Sequence, residues 1–492
     1  MSDALEKRIK KHIIGKPHRF LAVSPLGFEQ TLSRELEIIL GESATEPPHV
    51  IGDGKVEFTT KLTEAWKAVA VSRIANRVLM EVASFKAESF RELEKKASEI
   101  PWELYLPCHP ERYNTSCEVE ESINIHVTCK HSRLYHSDAI AERLYKIIEG
   151  VSLPLATADT ASATPSAGAP RNAPLQNLYV NFLDDRCTIW LDLAGKELYK
   201  RGFERFVNDA PLKETIASAM IFEAIEILRL RAPRSAQDDT SHPRSITLID
   251  LMSGSGTFSL EAACIANKII PGTCRDFALK HQPAFKEATW NFITRSNSSA
   301  PVTLSETIYE TRGFSPLVEL GSKEQGPVKS CNTFATIAKI ITSDISERAV
   351  NIIKHNIECS PLANISPAPI APQQKDFFSY TAKEIADACG DTSPILVLNP
   401  PYGKRLDFDA PKLYTQIGKK LTELARDLHH FGKSLTVAIL APKDDTRDGT
   451  KYTCTANLLR ECAALSPEQS PTAKVIQTSH GGFSLNAIFA TI

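Results

Sequence analysis

Four near-continuous apolar runs recur in the second half of the chain: "SITLIDL" (245–251), "AKIITSD" (338–344), "PILVLNPP" (394–401) and "SLTVAILA" (434–441). Unbroken runs of this length suit the inner strands of a parallel sheet covered on both faces. Between them apolar positions return every three to four residues, which predicts helices over Phe258–Ala266, Ser346–Ile357 and Pro411–His430. The last carries Leu413, Ile417, Leu421, Leu424 and Leu428 on one stripe and stops at Gly432. Strand and helix in alternation predict a doubly wound, mostly parallel α/β domain of the Rossmann-like kind over 196–492.

The N-terminal third has shorter periods. "FLAVSPLGFEQTLSRELEIIL" predicts a strand, a Pro-Leu-Gly turn and a helix with Leu32, Leu36 and Ile39 on one face. "LTEAWKAVAVSRIANRVLMEVASF" and "SFRELEKKASEI" are helical in period with a strand between them. "INIHVTC" alternates as a strand, and "SDAIAERLYKIIEG" reads as a helix ended by Gly150. "NLYVNFL" and "CTIWLDL" predict a hairpin across Asp184-Asp185-Arg186. The stretch 152–174, rich in Ala, Ser, Thr and Pro, is too weakly hydrophobic to fold alone and reads as an exposed loop, as do the polar stretches near 232–244, 296–330 and 359–374. The region before residue 196 is therefore expected to be mixed α+β.

Composition narrows the class. At 492 residues the chain exceeds one ordinary core, so roughly two to four domains are expected. Hydrophobic and charged contents of 42% and 24% are those of a soluble globular protein. With a net charge of −2, a nucleic-acid surface would have to be a local patch. No apolar run approaches the roughly 20 residues that span a bilayer, and the first residues, "MSDALEKRIKKH", carry no apolar signal core, so neither membrane insertion nor secretion is expected. The 11 cysteines are scattered without a CxxC spacing, as suits reduced thiols in the cytoplasm. The 13 histidines form no metal-ligand pattern, and no metal is expected.

The candidate chemistry sits at the ends of the apolar runs. "LIDLMSGSGTFSLEAA" is a strand ending on Asp250, a turn with Gly254 and Gly256, then a helix. Glycines let a ligand approach the backbone, and the helix N-terminus offers free N–H groups. A dinucleotide fold would place a third glycine at 259, where this chain has Ser259. The pattern fits a nucleoside cofactor without pyrophosphate, such as S-adenosylmethionine; a plain tight turn is the alternative. Asp344, at the next strand end, would accept both ribose hydroxyls, or else serve as a helix N-terminal acid. Asp376 would contact an adenine amino group, or act as an N-cap. In "LVLNPPYGKRL" a buried strand runs into Asn399, Pro400, Pro401 and Tyr402. The Asn399 side-chain oxygen and the Pro400 carbonyl would accept the hydrogens of a nucleobase amine, the prolines would stiffen the backbone, and Tyr402 would stack on a flipped-out base. Lys404 and Arg405 would meet phosphate, or form a solvated surface.

Together Asp250–Ala263, Asp344 and "NPPYGKRL" resemble the class I S-adenosylmethionine-dependent methyltransferases that modify amino groups. Over nearly its whole length the chain resembles, more narrowly, the bacterial THUMP-containing 23S ribosomal RNA guanine-N2 methyltransferases. "FLAVSPLGFEQTLSREL" is similar to that family's opening segment. "SRIANRVLMEVASFKAESFREL" and "HSRLYHSDAIAERL" look like its THUMP region, and "LDLAGKELYKRGFERFVNDAPLKETIASAM" resembles the junction into its catalytic domain. The resemblance implies a ferredoxin-like region at 1–55, a THUMP RNA-binding region at 56–195 and a seven-stranded methyltransferase domain at 196–492. It implies that Asp250, Gly254 and Gly256 hold the methionine end of the cofactor, Asp344 its ribose and Asp376 its adenine. Pro211, Leu212 and Lys213 would close over the cofactor, while Asn399, Pro400 and Tyr402 would hold the guanine amine. Lys130, Arg133 and the run Lys7–Arg19 are the cationic candidates for RNA. The family loop usually reads D-P-M-C-G-S-G-T, whereas Leu251 and Ser253 stand here for Pro and Cys. Alternatives sharing these motifs are a tRNA guanine-N2 methyltransferase, a DNA adenine-N6 methyltransferase, which the N-terminal third disfavours, and a catalytically inactive ribosome assembly factor.

Overall fold

A computed structural model of the chain describes residues 3–107, 123–151, 176–207, 211–230, 245–296, 336–402, 409–447 and 450–492. Its strands are β1 (Pro17–Val23), β2 (Glu46–Gly52), β3 (Lys55–Lys61), β4 (Arg77–Lys86), β5 (Ile123–Lys130), β6 (Gln176–Leu183), β7 (Arg186–Asp192), β8 (Ser245–Asp250), β9 (Thr336–Asp344), β10 (Gln373–Gln374), β11 (Ser393–Leu398), β12 (Thr436–Pro442), β13 (Asp445–Arg447), β14 (Thr450–Tyr452), β15 (Lys474–His480) and β16 (Phe483–Thr491). The α-helices are α1 (Asp3–Ile9), α2 (Glu29–Leu40), α3 (Leu62–Val71), α4 (Phe90–Ser98), α5 (Ser137–Val151), α6 (Glu214–Leu230), α7 (Thr257–Ala266), α8 (Glu287–Ser296), α9 (Glu347–Glu358), α10 (Ala382–Cys389), α11 (Ala410–His429) and α12 (Cys454–Glu461).

Two seven-stranded sheets organise the described residues. The first runs β2-β3-β1-β4-β7-β6-β5 and is antiparallel apart from the β5–β6 pair. Its β6–β7 hairpin turns through Asp184 and Asp185, both with positive φ, which short polar side chains tolerate. The β2–β3 hairpin turns just before Lys55, so a cut at the expected 55/56 boundary would separate paired strands. The exposed-loop expectation for 152–174 lies outside the described residues, as do most of the stretches at 232–244 and 296–330.

The second sheet runs β10-β9-β8-β11-β12-β16-β15, parallel from β10 to β12 and antiparallel for the last two strands. Three of its apolar strands, β8, β11 and β12, bury both faces, whereas β9, flanked only by the two-residue β10, leaves Ala338 and Lys339 exposed and Ile340 and Ile341 half-buried. Ile246, Leu248, Ile395 and Val397 face a core shared with α6, whereas Ile249, Leu396, Leu398, Val437 and Ile439 face the core under α11. On α11 the fully buried stripe is Tyr414, Ile417, Leu421, Leu424 and Leu428. Leu413, expected there, is only half-buried; Tyr414 takes the buried position and donates its hydroxyl to the Leu440 carbonyl at 2.8 Å. Likewise on α2, Leu32, Leu36 and Leu40 are buried while Ile39 is only half-buried.

The two sheets share one apolar core. It runs without a break from Phe20, Phe58 and Trp66, through Met220 and Ile221 of α6, to Val397 and Phe489. A buried carboxylate crosses the same boundary. Glu223 of α6, 1% exposed, pairs with Arg34 of α2, accepts from Thr31 Oγ1 at 2.5 Å and meets Lys474 Nζ of β15 at 2.8 Å. In the second sheet β8 lies between β9 and β11, so the chain reverses direction of growth there, and ligands bind outside the carboxyl ends of strands at such a point.

Candidate active site

Every element of the site begins at that switch point. β8 delivers Asp250 fully buried, and the turn behind it is closed by the Gly256 N–H donating to the Ser253 carbonyl at 2.7 Å. Gly254 (φ +53°) and Gly256 (φ +79°) take the left-handed conformation, and a Cβ on Gly256 would stand 3.0 Å from the Ile353 side chain of α9. The turn thus packs directly on α9, and α7 starts at Thr257 with its amide ends free of side-chain caps.

Asp250 has one satisfied and one orphaned oxygen. Its Oδ2 accepts from Ser259 Oγ at 2.8 Å, and Ser259 in turn accepts from Thr342 Oγ1 at 2.8 Å. The serine that breaks the dinucleotide pattern therefore holds this carboxylate. Oδ1 is buried without a partner. Burial, reinforced by the nearby charge of Asp344 and opposed by the Ser259 hydrogen bond, pushes the Asp250 carboxyl up to about 7.

Asp344 ends β9 and ties the glycine turn to it. Its Oδ2 accepts the Gly254 N–H at 2.8 Å and its Oδ1 the Ser346 N–H at 2.9 Å, while Ser253 donates from both N–H and Oγ to the Ser343 carbonyl. The helix-start alternative is realised in part: Ser346, not Asp344, is the N-cap of α9. Ile345 follows with its side chain 67% exposed beside this strand end. Asp376 lies two residues beyond Gln374, the register partner of Asp344, at the same edge. One of its oxygens accepts the Phe378 N–H at 3.1 Å as an N-cap of the turn Phe377–Ser379.

Asn399 stands two residues beyond Val397, which pairs with Asp250. Its Oδ1 is buried and has no hydrogen-bond partner. Pro400 is buried, and the half-buried Tyr402 packs edge-on to Phe483 at 6.0 Å between ring centres. Burial raises the Tyr402 phenol well above its ordinary range. Lys404 and Arg405 lie outside the described residues.

Pro211–Lys213 bridges the site to its neighbours. The Pro211 carbonyl accepts His480 Nε2–H at 2.9 Å, and the carbonyl of buried Leu212 accepts from Thr257 Oγ1 at 3.4 Å. The Lys213 ammonium lies 4.9 Å from the Tyr199 ring centre. Sequence reasoning missed Arg205, whose Nη2 donates to Thr257 Oγ1 at 2.7 Å and which pairs with Glu214. It also missed His480, whose imidazole is held below its ordinary pKa by burial, and Ile345. Only the exposed apolar residue after Asp344 had a sequence signal.

The structure thus brings Asp250, Gly254, Gly256, Asp344 and Asn399 to one sheet edge, with Asp376 beside it and Pro211–Lys213 linked to it through Thr257. Lys130 and Arg133 are elsewhere, at the end of β5 in the first sheet. Arg133 is 68% exposed and pairs with Glu88; Lys130 is exposed. In the Lys7–Arg19 run, Arg8 pairs with Glu103, and Arg19 with Glu57 and Glu81.

Two family models match the chain: an RMKL-like methyltransferase domain over residues 239–444 and an RlmL ferredoxin-like domain over residues 19–79. The Ribosomal RNA large subunit methyltransferase K/L of Allochromatium vinosum is 27% identical over 414 residues, 82% of this chain and 46% of that protein. This chain therefore spans about half the length of such relatives. The "Putative RNA methyltransferase YpsC" of Bacillus subtilis is 25% identical over 411 residues, 83% of this chain and 86% of that one. The solved structure of SMU.472, complexed with SAH, superposes with a TM-score of 0.61 at 20% identity, covering 96% of this chain and 98% of that one, and shares the fold. The region that builds the second sheet thus matches a methyltransferase-domain model and part of the first sheet a ferredoxin-like model of the RlmL type, and the chain as a whole is similar to methyltransferases of the K/L and YpsC kinds.

Proposed function

We propose that this protein methylates RNA from S-adenosylmethionine, and that its acceptor is the exocyclic N2 of a guanine, in 23S rRNA in the first instance. The residues present fit such a cofactor. The orphaned Asp250 Oδ1 is a buried acceptor suited to an α-ammonium, and Asp344 keeps lone pairs for ribose hydroxyls although each of its oxygens already holds an N–H. Exposed Ile345 offers an apolar face to a base, and the free oxygen of Asp376 an acceptor for its amino group. Gly254 and Gly256 let the ligand approach the turn, and Pro211–Lys213 covers it from the α6 side.

When bound, the cofactor supplies an electrophilic methyl group on a sulfonium. The chain has to present the amine to it. The unpartnered Asn399 Oδ1 carries this reading: a buried amide oxygen without a donor costs stability of about 1–3 kcal/mol, and an exocyclic amine is the donor that satisfies it. With the Pro400 carbonyl it would hold both amine hydrogens, aiming the nitrogen lone pair and favouring its pyramidal form. Tyr402, braced by Phe483, would stack on the extruded base. Catalysis on this account is orientation and electrostatics, with no covalent enzyme intermediate.

The RNA preference rests on the names of the relatives and on the expected THUMP region at 56–195, in which Lys130 and Arg133 would touch phosphate. The test is methyl transfer from labelled S-adenosylmethionine to unmodified 23S rRNA and tRNA transcripts, followed by nucleoside mass spectrometry. N2-methylguanosine in the rRNA is expected. The modification appearing in tRNA alone would move the target, N6-methyladenosine would change the acceptor, and cofactor binding without transfer to either RNA would favour an assembly factor.

A further inference from the structure

A cavity of about 600 Å³ lies beside the link between the two sheets, walled by Lys196, Tyr199–Arg205, Val207, Pro211–Glu214 and Cys274–Asp276. Six Lys and Arg side chains line it against three carboxylates, in a protein whose overall charge is −2. Two of the six are spoken for: Arg201 chelates Glu261 with two contacts of 3.0 Å, and Arg205 pairs with Glu214. The others are not matched in this way. Lys196 and Lys213 have no carboxylate partner among the described residues, and Lys200 has only a 3.3 Å contact with Glu197.

Arg275 makes the excess charge structural. It is 7% exposed, donates to the backbone carbonyls of Lys196, Glu197 and Lys200, and has no carboxylate partner among the described residues. Its Nε is buried without an acceptor. Burial lowers its pKa to about 10, the mark of a guanidinium whose charge is incompletely compensated. The same three hydrogen bonds pin the backbone that presents Lys196 and Lys200. Between the lysines sits Tyr199, with Lys200 Nζ 5.8 Å and Lys213 Nζ 4.9 Å from its ring centre.

A rigid cationic wall around an aromatic ring matches a single-stranded nucleic acid, whose phosphates take the ammonium groups and whose bases stack. The volume lies within the range of about 300–1,000 Å³ typical of small-ligand pockets, enough for a nucleotide unit and too small for a duplex. Position supplies the link to chemistry, because Arg205 and Pro211–Lys213 line the cavity and also contact Thr257, His480 or both at the methyl-transfer site.

We infer that this cavity holds the RNA backbone one or two nucleotides from the methylated base, with Lys196 and Lys200 on phosphate and Tyr199 against a base or ribose. The inference rests on the proposed RNA methyl transfer. It makes the cavity a specificity site that fixes how far the target base reaches toward Asn399.

The test is a Lys196→Glu, Lys200→Glu double variant, since both side chains are exposed and outside the cofactor site. Fluorescence anisotropy would follow a labelled single-stranded RNA 12-mer, calorimetry S-adenosylmethionine, and initial rates methyl transfer to a 23S rRNA transcript. RNA affinity is expected to fall at least tenfold, and the KM for RNA to rise by a similar factor with kcat and cofactor affinity little changed. The milder Lys196→Ala, Lys200→Ala variant should flatten the slope of log K against log salt by about 1.4, two contacts at ~0.7 each. Lys196→Arg, Lys200→Arg should bind as the parent does. Unchanged RNA affinity in the charge-reversed protein overturns the inference alone. So does equal loss of S-adenosylmethionine binding, which would make the cavity part of the cofactor site. So does full displacement of the 12-mer by adenosine monophosphate at comparable affinity, which would make the ligand a free nucleotide. A parent protein that binds neither RNA nor cofactor would overturn the methyltransferase reading itself.

Discussion

Asp344 Oδ2 accepts the backbone N–H of Gly254 at 2.8 Å, across 90 residues of chain. One carboxylate thereby ties the tip of the glycine turn to the end of β9, linking the two parts of the proposed cofactor site. Replacing Asp344 by Ala orphans both the Gly254 and Ser346 amides as well as removing the proposed ribose acceptor. Hydrogen bonds to charged groups contribute about 1.5–3 kcal/mol each, and S-adenosylmethionine affinity should fall ~10- to 100-fold by calorimetry. An affinity within threefold of the parent would show that Asp344 is not a ligand contact.

Asn399→Ala removes the orphaned acceptor and, on the proposed arrangement, no contact to the cofactor. Its kcat should fall by ~10²–10³, the scale for losing one preorganised polar contact to a reacting group, with cofactor affinity unchanged. Single-turnover methyl transfer at saturating RNA separates the two; a parent-like rate would refute the assigned role.

Asp250 should make cofactor binding pH-dependent. With its carboxyl raised to about 7 in the free protein, part of the population is protonated at neutral pH, and the α-ammonium favours the ionised form. Binding should therefore strengthen from pH 6 to 8 and release protons, seen as a dependence of the calorimetric heat on buffer ionisation enthalpy. Asp250→Asn should abolish that dependence and weaken binding. The stability of the free protein moves the other way. The folded pKa lies above the unfolded value of about 3.8, so this group's contribution is complete below pH 3.8 and is lost as pH rises through 7.

Glu223 is the buried charge joining α2, α6 and β15. Removing it leaves the buried Thr31 hydroxyl without its acceptor, at a cost of about 1–3 kcal/mol, whereas Arg34 and Lys474 keep access to water. Glu223→Ala should lower the first thermal transition by several degrees. No shift in scanning calorimetry would mean that the two halves are held by the apolar core alone.

How much of this was readable beforehand differs from residue to residue. The strand ends carrying Asp250 and Asn399 were legible because strands buried on both faces leave unbroken apolar runs whose polar termini stand out, and Asp344 because it closes the short run "IITSD" of the half-covered β9. The turn of Gly254 and Gly256 was legible because left-handed backbone selects glycine. The β2–β3 hairpin was not: "EPPHVIG" is the edge strand, carries two prolines and buries only Pro48, so nothing in it marked a partner for the alternating "KVEFTTK". Ser259 was visible as a departure from the dinucleotide pattern, but its bond to Asp250 was not.

The order of apolar and polar residues along the chain, a local property, determined the alternating strands and helices, the glycine turn and the candidate residues at three strand ends. Tertiary structure alone decided what those residues touch. The partners of Glu223 lie 192 residues away at Thr31 and 251 at Lys474, and the contacts of Arg205 and His480 likewise join distant segments. Burial orphaned Asn399 Oδ1 and Asp250 Oδ1 and raised the Asp250 pKa. These are effects of exclusion from water, which depends on what the rest of the chain packs around an atom, and no local pattern encodes it.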